Sequence, residues 1–152
     1  MKIVVQTVLK ARVMIDQKCY SYIGYGYLLL VGFTQGDDEV LVDKMVDKVL
    51  NIRILPDEQG KTNRSIYDVK GEILSVSQFT LYGDVVHGRR PSFTKALAPN
   101  ESEKLYQYFN QQLENKYGII STGIFGADMK VELINDGPFT LILDSKELYD
   151  AN

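Results

Sequence analysis

Apolar residues cluster near both ends of the chain, either alternating with polar residues or in short continuous runs. Alternation over four to eight residues is typical of a strand with one buried face, and a short unbroken apolar run is typical of a strand buried on both faces. YLLLVGF is such an unbroken run. The predicted strands cover residues 2–8, 11–16, 20–33 (one or two strands), 72–82 and segments after 119.

DDEVLVDKMVDKVLNI, at 37–52, has the spacing of an amphipathic helix instead. Asp37 or Asp38 can cap its N-terminus, because a carboxylate there accepts hydrogen bonds from free backbone N–H groups. The positions that share the apolar face are Val42, Met45, Val46, Val49 and Leu50.

A second helix is predicted after Pro99. Asn100 and Glu103 have the spacing of a capping box, and Gly118 is placed to end the helix. The residues predicted to form its buried stripe are Leu105, Phe109 and Leu113.

Many strands and two main helices predict an α+β fold, with a mostly antiparallel sheet that curls towards a barrel. No repeat or linker interrupts the sequence, so we predict a single domain over residues 1–152. NDGPFT at 135–140 lies between two apolar runs and predicts a hairpin turn. The proline is unusual there, because proline cannot donate to a β ladder.

Composition and charge limit the partners and the compartment. A net charge of −3 argues against a protein that binds long nucleic acid, including DNA. Arg89, Arg90 and Lys95 nevertheless cluster in HGRRPSFTK, which is either a solvated loop or a contact for a nucleic-acid end. No apolar run reaches membrane length, and MKIVVQTV turns polar too early for a secretory signal. The single cysteine, Cys19, fits a reducing cytosol, so we expect a cytoplasmic protein that contacts no membrane.

Most familiar catalytic patterns are absent from the sequence. His87 is the only histidine, and no metal-ligand spacing or glycine-rich phosphate loop occurs, so no metal and no cofactor are expected. The remaining candidate is ILSVSQFTLYGD, at 73–84, where polar residues interrupt an apolar strand. It is either a polar ladder at a sheet edge or a strand end whose N–H groups hold a developing oxyanion beside Gln78 and Thr80.

SQFTL at 77–81 and NDGPFT at 135–140 together resemble the two signature motifs of the D-aminoacyl-tRNA deacylases. The resemblance covers essentially the whole chain, and its other matching stretches are VQTV, IGYGYLLLVG, RPSFTKALAP and TGIFGADM. It implies a cytoplasmic homodimer that hydrolyses the ester between a D-amino acid and the 3′ end of tRNA. Arg89, Arg90 and Lys95 are then candidate tRNA contacts.

The resemblance also implies roles for individual residues. Gly137 and Pro138 would be joined by a cis peptide, enter the active site of the other subunit and reject L-amino acids. Because glycine has no side chain to reject, a glycyl ester could also be hydrolysed. The residues implied to line the scissile ester are Ser77, Gln78, Phe79 and Thr80, and those implied to line the pocket are Phe125 and Met129.

Two positions depart from the family pattern. Thr7 stands where the family usually has arginine, so whatever that arginine braces must be braced otherwise. Phe139 replaces a smaller residue after Gly-Pro. The residues alone also leave open a non-catalytic module that binds a tRNA end or a nucleotide, and neither the preferred D-amino acid nor the nucleophile can be read from them.

Overall fold

The computed structural model describes residues 1–150. Its strands are β1 Lys2–Ile15, β2 Lys18–Ile23, β3 Gly26–Gly32, β4 Leu55–Pro56, β5 Thr62–Arg64, β6 Glu72–Ser77, β7 Ser121–Thr122 and β8 Lys130–Asp144. Its helices are α1 Glu39–Asn51, α2 Ile66–Val69, α3 Pro99–Lys116 and α4 Ser145–Tyr149, with a 3-10 turn at Phe79–Tyr82. None of the helices described is long and apolar enough to cross a membrane.

One mixed sheet organises the molecule, in the order β2-β1-β3-β6-β7 with β8 added alongside β1. Strand β1 pairs antiparallel with β2, β3 and β8, whereas β3–β6 and β6–β7 are parallel. The sheet curls until its ends approach each other, and Ser121 Oγ donates to Tyr22 O of β2 across 3.4 Å. The predicted α+β fold with a sheet close to a barrel is therefore confirmed.

The two strands predicted over residues 2–8 and 11–16 are in fact one strand, β1. Val8 pairs with Asn135 and Lys10 pairs with Ile134, so Leu9 is an extra residue in β1. Such a bulge reverses which face the following side chains occupy. The alternation of polar and apolar residues therefore breaks in the sequence although the strand continues.

Helix α1 forms as predicted. Asp38 is its N-cap, and its carboxylate accepts a hydrogen bond from Leu41 N at 2.9 Å. All the residues predicted for its apolar face are buried: Val42, Met45, Val46, Val49 and Leu50.

Helix α3 begins differently from the prediction. Pro99 is its first residue and Ala98 its N-cap, with no side-chain capping bond, so the predicted capping box at Asn100 is wrong. Proline suits the first helical position because its missing N–H would have no partner there and its φ is already helical. Tyr106 rather than Leu105 is buried beside Phe109 and Leu113, and Gly118 follows the helix end.

The core has two parts. The larger cluster packs one face of the sheet, including Tyr27 and Leu29, against α1 and α3. The smaller cluster combines Leu28 of β3 and Leu74 of β6 with residues of β1 and β2. Strand β3 is therefore buried on both faces, as its unbroken apolar run predicts. Each fully buried aliphatic side chain contributes about 1.5–3 kcal/mol to folding.

Candidate active site

Strand β6 ends at Ser77, five residues earlier than the predicted strand over 72–82. Gln78 N donates to Val31 O at 2.8 Å, and the chain then turns into the 3-10 helix Phe79–Tyr82. Leu81 N donates back to Gln78 O at 3.3 Å. The ladder stops because β3, the neighbouring strand, ends at Gly32.

Gly32 allows Gln78 to approach the end of β3 closely. A Cβ atom at residue 32 would lie 2.9 Å from Gln78 O and 3.2 Å from Leu81 Cβ. A contact of 2.9 Å with a backbone atom requires the backbone to shift. The path of the chain after Ser77 therefore depends on a glycine that is distant in the sequence.

The first two N–H groups of the 3-10 turn, those of Phe79 and Thr80, have no hydrogen-bond acceptor within residues 1–150. This is the normal condition at the start of a helical turn, since no preceding carbonyl is in position. Two adjacent backbone donors are thus available beside Gln78. Such donors can stabilise an anionic oxygen without any side-chain chemistry.

The side chains of this turn are ordered by contacts with each other and with a neighbouring loop. Gln78 Nε2 donates to Thr80 Oγ1 at 2.5 Å. The Phe79 ring, 52% exposed, makes an edge-to-face contact with Phe93, with centroids 5.0 Å apart and planes at 66°. Phe93 was not predicted as a site residue. An aromatic residue in the otherwise polar run RPSFTK was the available signal.

A cavity of about 590 Å³ lies beside the turn. Of the predicted site residues, Ser77, Gln78, Phe79, Phe125 and Met129 border it, and Thr80 does not. The remaining residues that line it are Val76, Phe93, Ala96, Leu97, Ala98, Pro99, Ser102, Gly126, Ala127, Asp128 and Val131. The lining is mostly apolar, and its polar side chains are those of Ser77 and Gln78 at the end of β6 and of Ser102 and Asp128 elsewhere.

Ionisable side chains contribute little to this site. Among residues 1–150, Asp128 is the one ionisable residue that borders the cavity, and its carboxylate pairs with Lys130 at 3.0 Å. Tyr106, in α3, donates to Ser75 O at 2.7 Å, and burial raises the pKa of its phenol. Within residues 1–150, no three His, Cys, Asp or Glu side chains group closely enough to hold a metal ion.

The basic cluster forms a loop next to the cavity. Asp84 and Ser92 close the loop with two backbone hydrogen bonds of 2.8 Å, and Arg89 and Arg90 are exposed within it. Lys95 Nζ pairs with the Asp84 carboxylate at 2.7 Å, and this hydrogen bond holds the pKa of Asp84 below its usual value. In the described part of the chain, Arg89 and Arg90 have no salt-bridge partner, whereas the charge of Lys95 is already compensated by Asp84. None of the three residues borders the cavity.

NDGPFT does not form the predicted hairpin, because β8 continues through it along β1. Gln6 pairs with Thr140 and Val8 with Asn135, so a step of two residues in β1 matches a step of five in β8. The extra residues, 136–139, form a bulge that we call the tip segment. The Gly137–Pro138 peptide is cis, and both residues are exposed. Neither borders the cavity of the same chain.

Comparison with known proteins identifies the family. The model of a family described as D-Tyr-tRNA(Tyr) deacylase matches residues 4–144. The chain belongs to the D-aminoacyl-tRNA deacylase family. A relative named D-aminoacyl-tRNA deacylase from Lactobacillus acidophilus is 54% identical over 144 residues, which are 95% of this chain and 99% of the relative. Another of that name, from Clostridium acetobutylicum, is 47% identical over 149 residues, 98% of this chain and all of the relative.

Solved structures share the fold of this chain. One titled "c-Myc DNA Unwinding Element Binding Protein" has a TM-score of 0.90 and 41% identity, covering 95% of this chain and 98% of that one. One described as a probable eukaryotic D-amino acid tRNA deacylase has a TM-score of 0.84 and 17% identity, covering 93% and 97%, and shows the shared fold. The predicted resemblance, and with it the prediction of an ester hydrolase of this family, is confirmed.

Proposed function

We propose that the chain is a cytoplasmic homodimer that hydrolyses D-aminoacyl-tRNA at the cavity beside Ser77–Thr80 and rejects L-aminoacyl-tRNA with the tip segment of the partner subunit. The observation that carries the proposal is the pair of N–H groups on Phe79 and Thr80, just after the end of β6, for which residues 1–150 supply no acceptor. The names of the relatives favour this activity over the non-catalytic binding module.

The cavity suits the terminal nucleoside of tRNA together with its amino acid. Its volume of about 590 Å³ lies in the range of small-molecule sites, which is about 300–1,000 Å³. Phe79 and Phe93 supply aromatic surface at its edge, and stacking of a base on such a ring contributes about 1–3 kcal/mol. Arg89 and Arg90, on the adjacent loop, would contact phosphates of the same tRNA end.

The reaction needs little from protein side chains. A water molecule attacks the ester carbonyl, the bond to the 3′ oxygen breaks, and the D-amino acid is released with its new carboxylate. The 2′-hydroxyl of the terminal ribose can relay the proton from that water to the 3′ oxygen, which leaves as the hydroxyl of free tRNA. The N–H groups of Phe79 and Thr80 stabilise the oxyanion, and one such donor is worth about 3–4 kcal/mol. Thr80 Oγ1 has no general base to activate it, since its contact is the amide of Gln78.

Exclusion of L-substrates is assigned to the main chain of Gly137 and Pro138. Their carbonyls would accept hydrogen bonds from the substrate ammonium, and an L side chain would then collide with the tip. This is discrimination by repulsion rather than by added attraction. A glycyl ester has no side chain to collide, so we expect glycyl-tRNA to be hydrolysed as well.

Two features support assembly as a dimer. Gly137 and Pro138 of the tip segment are exposed and do not border the cavity of their own chain, which leaves them available to a second subunit. Val4 pairs with both Leu30 and Ile142, so the three side chains lie on one face of the sheet. Ile142 is 63% exposed there, on the same strand as the tip. An apolar patch next to the tip is suited to burial between subunits.

Subunit mixing tests the shared site. Thr80→Pro should inactivate the part of the site formed by residues 77–80, because it removes an N–H donor. Gly137→Leu should inactivate the part supplied by the tip segment, because its side chain would block the cavity that the tip enters. If each site combines residues 77–80 of one subunit with the tip of the other, a mixed dimer keeps one intact site. Random mixing of the two inactive proteins should then restore about one quarter of the wild-type rate with D-tyrosyl-tRNA.

No recovery in mixed dimers, verified by differently tagged subunits, would contradict a site shared between subunits. A wild-type protein that sediments as a monomer with full activity would contradict the dimer itself. Binding of D-tyrosyl-tRNA without hydrolysis would instead support the non-catalytic module.

A further inference from the structure

The tip segment is held at its base while Gly137 and Pro138 stay exposed. On one side, the Phe139 side chain is half-buried and packs against the larger core cluster. On the other side, the Thr7 side chain of β1 makes a hydrogen bond to the segment. The position of the exposed pair is therefore set by groups that are not themselves exposed.

Thr7 lies at the point where the β1–β8 ladder is interrupted. Gln6 and Val8 pair with β8, and no residue of β8 is paired with Thr7. A side-chain hydrogen bond joins the two strands there instead, since Thr7 Oγ1 donates to Asp136 O at 2.9 Å. Thr7 is 3% exposed, so water has little access to this hydrogen bond.

Asn135 holds the far end of the same segment. Its side chain accepts from Phe139 N at 2.6 Å and donates to Phe139 O at 3.1 Å. Asn135 Nδ2 also donates to Thr140 Oγ1 at 3.2 Å. These bonds are local, within five residues, and they fix the width of the bulge. The bond between Thr7 Oγ1 and Asp136 O instead joins the segment to β1.

We infer that Thr7 is a positioning residue for chiral discrimination, whose hydroxyl places Gly137 and Pro138 by holding the carbonyl of Asp136. The inference rests on the proposed function of the tip. Thr7 does not border the cavity of its own chain, so we assign its effect to the segment that it holds.

The test compares two substitutions that separate the hydroxyl from the bulk of the side chain. Thr7→Val keeps the size and branching and removes the hydroxyl, whereas Thr7→Ser keeps the hydroxyl. The main measurement is the ratio of kcat/KM for D-tyrosyl-tRNA to that for L-tyrosyl-tRNA. Thr7→Val should lower this ratio about tenfold, the equivalent of one neutral hydrogen bond. Thr7→Ser should stay within about twofold of wild type.

A local measurement separates positioning from a general effect on folding. Hydrogen exchange at the Phe139 amide should accelerate in Thr7→Val, while exchange in the β1–β3 ladder stays as in wild type. Thr7→Ala, which leaves room for water, is the second variant and should show the same loss of discrimination.

Three outcomes bear on the inference differently. Folded Thr7→Val with the wild-type D/L ratio would overturn it and leave the proposed function intact. Failure of both Thr7→Val and Thr7→Ala to fold would also overturn it, because Thr7 would then serve the fold rather than the tip. A wild-type protein without any preference for the D-substrate would contradict the proposed function itself.

Discussion

The strand end at Ser77 and the tip segment are both places where a β ladder is interrupted. They differ in whether their backbone polar groups find hydrogen-bond partners. After Ser77, the N–H groups of Phe79 and Thr80 have no acceptor among the described residues, 1–150. In the tip segment, Asp136 O accepts from Thr7 and both backbone polar groups of Phe139 are bonded to Asn135. One region leaves donors free beside a cavity, and the other fixes an exposed loop in place.

This difference fits the two tasks that we assign to them. A site that stabilises developing charge needs unpaired donors at fixed positions. A site that excludes one enantiomer needs a surface that does not yield, because an adaptable surface would accept both. Both tasks use main-chain atoms, so substitutions that alter the backbone should matter more than those that alter a side chain alone.

The largest effect on kcat is expected from loss of the Thr80 N–H group. Thr80→Pro removes one N–H, and proline is tolerated in the first turn of a helix. Loss of one oxyanion donor should lower kcat about 100- to 1,000-fold. Thr80→Ala is the matched control, because it also loses the acceptor for Gln78 Nε2 and keeps the N–H. Equal, complete loss in a folded Thr80→Ala protein would instead make the hydroxyl the essential group.

A smaller effect on kcat is expected when the turn after Ser77 is displaced and its N–H groups are kept. Gly32→Ala places a Cβ atom 2.9 Å from Gln78 O, so the turn that follows must shift. Displacements of about 1 Å can cost about 100-fold in rate, and we expect a fall of 10- to 100-fold in kcat. Gly88→Ala is the control, since a Cβ there would meet nothing within 4 Å. Unchanged kcat in Gly32→Ala would show that the path of Gln78 is not critical.

The basic loop should affect tRNA binding but not chemistry. Replacing both Arg89 and Arg90 with glutamine should make the plot of log kcat/KM against log salt shallower by about 1.5, since each phosphate contact contributes about 0.7–0.9. Lys95→Gln should leave the slope unchanged, because Asp84 already compensates its charge. An equal change of slope in Lys95→Gln would restore Lys95 as a direct tRNA contact.

The smallest effect is expected on the free energy of unfolding at acid pH. Lys95 holds the pKa of Asp84 below its usual value, so the pair stabilises the folded protein above the unfolded pKa of about 4. That contribution is lost as the pH falls through the lower, folded pKa. Free energies of unfolding measured from pH 7 to pH 2 should therefore decline less steeply at the acid end in Asp84→Asn than in wild type. If the free energy of unfolding declines equally steeply at acid pH in both proteins, the pair contributes no stability.

The sequence by itself determined those features that depend on local pattern. The apolar face of α1 and the double burial of β3 follow from the spacing and the continuity of apolar residues. The two motifs were sufficient to indicate the family, because each is a short run with an unusual residue, and both occur in the expected order. Ser77, Gln78, Phe79, Phe125 and Met129, which the resemblance singled out, border one cavity, and their roles in it stay a prediction.

Only the tertiary structure decided where the local patterns stop applying. Leu9 disturbs the alternation without ending β1, and β6 ends at Ser77 because its partner strand ends, although the apolar pattern continues. Phe93 borders the cavity, and its ring contacts Phe79, a neighbour that no local sequence pattern indicates. Thr7 and Asp136 are 129 residues apart in sequence, and their hydrogen bond exists only because β1 and β8 are neighbours in the sheet. Such contacts depend on which segments pair, and no local period encodes that choice.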